Sequence, residues 1–333
     1  MGKSNSRHWT QWLFGVVGVW GLVISSVGIG MAECQGAELA VGQTFGSQIS
    51  DPGIRHAFLI TGGVTAIVSE DSRIEWLVNR NSRDGFVLPS GNVLVTHAEE
   101  VIEYDRAGKH VFRYPLSSEN KEISTAQRLD NGDTLVAEMG AKPRLLIVSP
   151  AGEVRQQVAL QPETDNTHMQ TRMARRTADG NFLVPHLLAF AVKEYRPDGS
   201  IVRTLTTDRP ELGGRAAEAW PFTAIDVGNG RLLVNLTHSN QSIVLDAAGQ
   251  IVWKLDNDDV AGRLSDPCGA QCLPNGHTFI CSYGQQADDR PKAFEVNEQK
   301  EVVWEYVNPA LHGFHEVHVI STNGQPTPWP PRK

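Results

Sequence analysis

Cysteine is scarce. The 333-residue chain has four, and Cys34 falls in an N-terminal segment unlike the rest. The three that remain, Cys268, Cys272 and Cys281, allow at most one disulfide and one free thiol, so the fold is not a disulfide framework. Four cysteines at zinc-ribbon spacing are absent. Basic charge in excess is missing too: 30 Lys+Arg against 38 Asp+Glu give a formal charge of −8. That argues against a nucleic-acid binder, which shows a basic patch, and against adhesion to anionic lipid. GxSxG, phosphate-loop and dinucleotide fingerprints are absent. No stretch keeps a helical period, which speaks against helical architectures.

Long apolar runs are lacking with one exception. Residues 12–32, WLFGVVGVWGLVISSVGIGMA, carry no charge and follow Lys3 and Arg7. This reads as the basic region and apolar region of a signal peptide. The run is also long enough for an N-terminal membrane anchor. The small residues that end it favour cleavage, and Glu33 before Cys34 departs from a lipoprotein box. Residues 1–36 are therefore set apart as signal peptide or anchor. The remainder is expected to be exported, periplasmic or extracellular, with membrane contact only through an uncleaved 1–36.

What the chain does have is a repeat. LPSGN (88–92), LDNGD (129–133), TADGN (177–181), VGNGR (227–231), LPNGH (273–277) and STNGQ (321–325) recur, with glycines spaced 41, 48, 50, 46 and 48 residues apart. Asn-Gly and Asp-Gly supply the positive φ of a tight hairpin. Each turn precedes an apolar run (NVLVT, DTLVA, NFLVP, RLLVN, HTFIC), and two further strands follow. Four-stranded units of roughly 40–50 residues in tandem are the signature of a β-propeller. Residues 57–78 hold strands two to four of a unit, and HEVHVISTNG near the C-terminus holds only a first strand and turn. Joined, they complete a sixth blade. The expectation is an all-β, six-bladed β-propeller of four-stranded blades, closed by pairing N-terminal strands with the C-terminal strand. It spans 56–325, between an N-terminal extension (37–55) and a Pro-rich tail (326–333).

The phrase GAQCLPNGHTFIC…AFEVNEQKEVVWEY, echoed by STAQRLDNGDTLVA and QIVWKL, resembles the quinoprotein-like (PQQ-repeat-like) propellers, and among them the bacterial arylsulfotransferase-like branch. The likeness covers residues 56–325. It implies a propeller fold and, for that branch, histidine and arginine chemistry at the channel. Trp76, Trp253 and Trp304 occupy the last-strand position of the tryptophan-docking repeat. Phe112 replaces one, and the third and fourth blades have no aromatic there. No bound quinone or other cofactor is expected; a divalent metal is left open.

Loops after the second strand and loops between blades share one face of the disc, where propellers commonly hold ligands. The position just after the second strand carries Gly62, His97, Glu138, His186, Leu236 and Ser282, with His238 just beyond. Inter-blade loops add His168, Trp220, Cys268, His312 and His315. Convergence of His97, Glu138, His186, His238 and His315 on the channel mouth would suit metal ligation or proton transfer; the alternative is that these side chains hydrogen-bond neighbouring loops. Arg172, Arg175 and Arg176 suit an anionic substrate such as a uronate or sulfate, but strand alternation keeps all three from one pocket. The same alternation separates His315 from Glu316 and His318, so HGFHEVH is no compact ligand set. Cys281 is expected opposite Ala270, next to Cys272; a Cys268–Cys272 or Cys272–Cys281 link and single buried thiols both remain open. Asn235-Leu236-Thr237 matches a glycosylation acceptor.

Two functions fit. One is a monomeric, non-catalytic propeller binding a polysaccharide, small molecule or protein partner at its top face. The other is an enzyme with a His-lined mouth: a metal-assisted polysaccharide lyase or hydrolase, or an arylsulfotransferase-like enzyme.

Overall fold

A computed structural model describes residues 39–333; the signal-peptide or anchor reading of 1–36 lies outside the described residues. Six antiparallel sheets form a six-bladed β-propeller. The inner strands are Phe314–Thr322, Asp84–Val87, Asn120–Arg128, Arg175–Arg176, Ala219–Gly228 and Pro267–Cys272, for blades 1 to 6 in turn. Among the described residues no helix is long and apolar enough to cross a membrane.

Strand position explains strand composition. Second and third strands lie sandwiched between blades, so Thr134–Gly140 and Arg144–Val148 are buried throughout and are largely apolar, apart from the buried pair Glu138 and Arg144. Outer strands expose one face, so Ile201–Thr206 alternates strictly. The six repeat glycines all sit at φ between +71° and +86°, where an L side chain is strained.

The ring closes as the sequence implies. His56–Gly62 pairs with Phe314–Thr322, and Thr65–Val68 and Ile74–Val78 complete blade 1. Aromatic packing fills the adjoining seam with blade 6: Phe58, Phe279, Trp304 and Tyr306 are nearly inaccessible. Beside them His56 Nε2 donates to Glu295 Oε2 at 2.7 Å, and His277 Nδ1 donates to Glu295 Oε1 at 2.6 Å.

The two flanking segments are built into the propeller. Ser47–Ile49 adds a fifth, outer strand to blade 6. The tail turns back along blade 1 at Gln325–Pro326 and runs into the central channel. There Arg332 O accepts from Cys272 N on the inner strand of blade 6. Lys333 Nζ donates to Gly85 O at 2.8 Å, Val317 O at 3.0 Å and Asp84 Oδ1 at 3.2 Å. Arg175 bridges Asp84 (2.9 Å) and Glu316 (3.3 Å) and donates from Nε to Lys333 O. Two carboxylates and two cations thus meet at the channel axis, all buried. Burial pushes Glu316 up; burial also presses on Asp84, but Arg175 and Lys333 hold it below the usual range.

Two details differ from expectation. Ala270 faces Ile280, not Cys281, because a bulge between Pro267 and Ala270 shifts the register. Gly269 sits at that bulge, where any Cβ would collide with Glu316. The three thiols are unpaired. Asn235 is fully buried and donates to Cys268 O and Gly269 O, so it offers no surface for a glycan.

Removing one partner from a buried charge cluster strands the others. Lys333→Met leaves Asp84 and Glu316 to share Arg175, and a loss of roughly 3 kcal/mol is expected in urea unfolding at neutral pH. Adding Glu316→Gln should restore most of it. An unchanged single variant would show that the cluster does not bear on stability.

Candidate functional site

A cavity of about 580 Å³ opens at the channel mouth, on the face opposite the Asn-Gly turns. The charge cluster with Lys333 lies below it. One wall is cationic (Arg80, Arg83 and Arg172), with His168 beside it. Another is aromatic or soft (Trp220, Phe222, Tyr283, Met173 and Cys268), and His238, Asp266 and His315 complete the rim.

Seven of the residues singled out from sequence line this cavity: His97, His168, Arg172, Trp220, His238, Cys268 and His315. They are not equivalent. His97 is 1% exposed. Its Nδ1 donates to Asn81 O at 2.7 Å and its Nε2 accepts from Tyr104 at 3.1 Å, so it has nothing left to offer a ligand. His168 is exposed and reaches Glu122 at 3.4 Å. His238 pairs with Glu218 at 2.9 Å and packs on Trp220 at 4.8 Å. His238 (φ +64°) and Glu218 (φ +52°) both sit in the left-handed region, a strained backbone of the kind that collects at functional sites.

Glu138, His186 and His312 do not converge there. Glu138 is buried between blades 2 and 3. It accepts hydrogen bonds from Tyr114, Ser117, Asn120 and Arg144. Burial alone would raise its pKa, but those bonds hold it below the usual value. His186 shares the tyrosine half of the His97 arrangement, with Nε2 accepting from Tyr195 at 3.0 Å, while its buried Nδ1 has no partner among the described residues. The histidine after the second strand and the tyrosine of the third form a recurrent structural pair. His312 lies outside the cavity, exposed beside Tyr283 and Gln286.

The three arginines part: alternation separates Arg175 from Arg176, and Arg172 lies in the loop before that strand. Arg172 lines the cavity, Arg175 enters the channel cluster, and Arg176 lies over Phe182 on the outer side. Arg172 is 4% exposed. Its Nη1 donates to Thr171 O at 2.8 Å and approaches Met139 Sδ. The nearest carboxylate oxygen, Glu122 Oε1, is 3.8 Å away, and Nε and Nη2 donate to no acceptor among the described residues. Glu122 is already bound to Arg83 at 2.6 Å. Burial, with Arg83 adding to it, pushes Arg172 down to about 10, still cationic at neutral pH. Burial would raise Glu122, but His168, Arg83 and Arg172 bring it down to about 2.

His315 is held by Nδ1 donating to Ser82 O at 3.2 Å and by Tyr283 stacked on it at 4.2 Å. Burial first, then Arg83 and Arg172, pushes it down to about 4, so it is neutral. Among the described residues no three His, Cys, Asp or Glu side chains gather in a way that would hold a metal ion. Arg83, Phe222, Tyr283 and Asp266 were not singled out from sequence. Arg83 and Asp266 sit in inter-blade loops, which was the one available signal.

No family model matches the chain, and no curated protein sequence matches it. Solved structures do. A protein of unknown function from Bacteroides caccae superposes with TM-score 0.69 at 22% identity, covering 79% of this chain and 98% of that one. A catalytically inactive virginiamycin B lyase from Staphylococcus aureus with quinupristin gives 0.53 at 12% identity, covering 79% and 88%. The WD40 β-propeller domain of Doa1 gives 0.54 at 11%, covering 83% and 90%. At these identities the likeness is one of fold, a β-propeller.

Burial pushes His186 to about 3, His315 to about 4 and His318 to about 3. The folded chain keeps these rings neutral, while the unfolded chain takes up protons below about 6.5. Stability is therefore full above that pH and falls as pH drops, by about 1.4 kcal/mol per unit for each histidine. Urea midpoints should hold level from pH 7.5 to about 6.5 and then fall toward pH 5; a flat profile down to pH 5 would contradict the buried, neutral assignment.

Proposed function

We propose that this chain is an exported, monomeric propeller that binds a small anionic organic molecule, or the acidic end of a glycan, in the top-face cavity, without turnover. Arg172 carries the reading. Its nearest carboxylate, Glu122, lies at 3.8 Å and is shared with Arg83; a buried guanidinium short of hydrogen-bonded acceptors is costly, and a carboxylate or sulfate in the cavity would supply them through charge-assisted bonds. The cavity volume falls within the roughly 300–1,000 Å³ of small-molecule sites. The leader-like segment supports export. The resemblance to arylsulfotransferase-like propellers, with arginine and histidine at the channel, agrees with an anionic ligand.

A second reading, an enzyme in the same cavity, draws on His315. With its Nδ1 proton held by Ser82 O, the ring leaves Nε2 as a potential proton acceptor. The virginiamycin B lyase among the fold neighbours is an enzyme on this architecture. Turnover of an added aryl sulfate or uronate oligomer, lost in His315→Ala, would favour it.

The test is calorimetric titration with matched pairs: glucuronate and glucose, cyclohexanecarboxylate and cyclohexylmethanol, benzoate and benzyl alcohol. Each acid should bind at least about tenfold tighter than its neutral partner, the size of a charged hydrogen bond. Arg172→Gln should erase the difference, and added salt should weaken it. Equal binding of the neutral members, or no binding of any acid at millimolar concentration, would overturn the proposal.

A further inference from the structure

We infer that a second ligand site lies on the face of the Asn-Gly turns, between blades 5 and 6, and that it takes a free medium-chain fatty acid. A groove of about 500 Å³ runs there from the outer strand of blade 5 to the tail. Leu233, Val244, Val252, Trp253 and Leu273 give it apolar walls, and Arg231 and Arg332 are its cations. It is separate from the top-face cavity and shares no residue with it.

The repeat shows what blade 5 lacks. In blades 2, 4 and 6 the third strand carries a glutamate opposite Leu94, Leu183 and Phe279 of the second strand. The residue after the turn glycine holds that carboxylate: Asn92 donates to Glu103 at 2.6 Å, Asn181 to Glu194 at 2.7 Å and His277 to Glu295 at 2.6 Å. Blade 3 has Ile147 there, and its Asp133 pairs with Arg155 at 3.2 Å. In blade 5 the same register sets Val244 opposite Leu233, and the residue after the turn glycine is Arg231. A cation thus stands where its blade offers valine in place of the carboxylate, and it makes no ion pair among the described residues. Arg332, held at its carbonyl by Cys272 N, makes none either. Glu298 on the far wall is exposed, lies over Gly276 and pairs with neither arginine. A ligand carboxylate at Arg231 supplies the absent acceptor through charge-assisted bonds.

The same replacement leaves apolar surface open beside the charge. Val252 is 53% exposed, and Val244 and Trp253 are half-buried. A continuous apolar strip of this kind marks a binding surface. Trp253 Nε1 donates to Glu298 O at 3.2 Å, which fixes the indole as the outer wall. From the second strand to the outer strand is two strand spacings, roughly 10 Å. That length accommodates a medium acyl chain with its head on Arg231 and leaves the end of a long chain in solvent.

The experiment is calorimetric titration with butyrate, hexanoate, octanoate, decanoate and palmitate, each below its micellar concentration, and with 1-octanol. Affinity should rise by about two- to fourfold per methylene up to decanoate, as burial of each CH₂ implies, and level off beyond it. Octanoate should bind at least about tenfold tighter than 1-octanol. Arg231→Gln should erase that preference. Val244→Glu, which gives Arg231 the carboxylate found in blades 2, 4 and 6, should abolish octanoate binding, with thermal unfolding to confirm the fold; if it does not fold, Arg231→Gln at the exposed position decides the matter. Arg172→Gln, in the top-face cavity, should leave octanoate affinity unchanged. Octanoate bound no tighter than butyrate, or binding untouched by Arg231→Gln, would overturn the inference. Loss of octanoate binding in Arg172→Gln would overturn it too, by assigning the acid to the other cavity.

Discussion

The charge cluster of Asp84, Arg175, Glu316 and Lys333 is the constraint on which the rest of the molecule depends. It ties the inner strands of blades 1, 2 and 4 to the tail at the channel axis. Apolar packing is densest on the second and third strands of blades 2 to 4, farther from the axis than their inner strands. Ionic contacts are thus concentrated where hydrophobic contact thins. Low dielectric makes each attraction strong and makes an unmatched member costly.

A second constraint is the economy of polar groups at the mouth. Most residues there are already partnered: Arg80 with Glu100, Arg83 with Glu122, His238 with Glu218, and His97 with Asn81 and Tyr104. Against that background Arg172 stands apart, since its closest carboxylate is shared and lies beyond hydrogen-bond distance. The contrast between satisfied and unsatisfied groups, rather than the number of histidines, distinguishes a ligand site from a polar rim.

Much of the architecture was legible in the sequence, because it is written in local chemistry repeated several times. The Gly-containing turns require positive φ, the apolar runs mark strands between blades, and the half-blades at the two ends complement each other. The site was less legible. Residues at one repeat position share a location but not a role: His97 and His186 are taken by the tyrosines of their own blades, and Glu138 by Arg144 and its neighbours. Those partnerships depend on rotamers and on contacts across blades, which spacing does not encode. Arg175 and Arg176 differ in fate through the parity of a strand, a distinction sequence could state but not assign to faces. The entry of residues 326–333 into the channel had no periodic signature, since a Pro-rich segment carries neither strand nor helix pattern.

Blade 1 draws its inner strand from one end of the chain and its other three from the opposite end, and Thr61 and Glu316 bond across a separation of 255 residues. Nascent chain therefore holds three strands without their mate until nearly the whole polypeptide has been made. Loop-closure entropy grows only logarithmically with length, so the delay costs little in final stability. Its effect is on order of events: blades 2 to 6 each contain four strands contiguous in sequence and can pair locally, whereas the seam must come last. The cavity, with His315 contributed by the seam strand, becomes complete at that same final step.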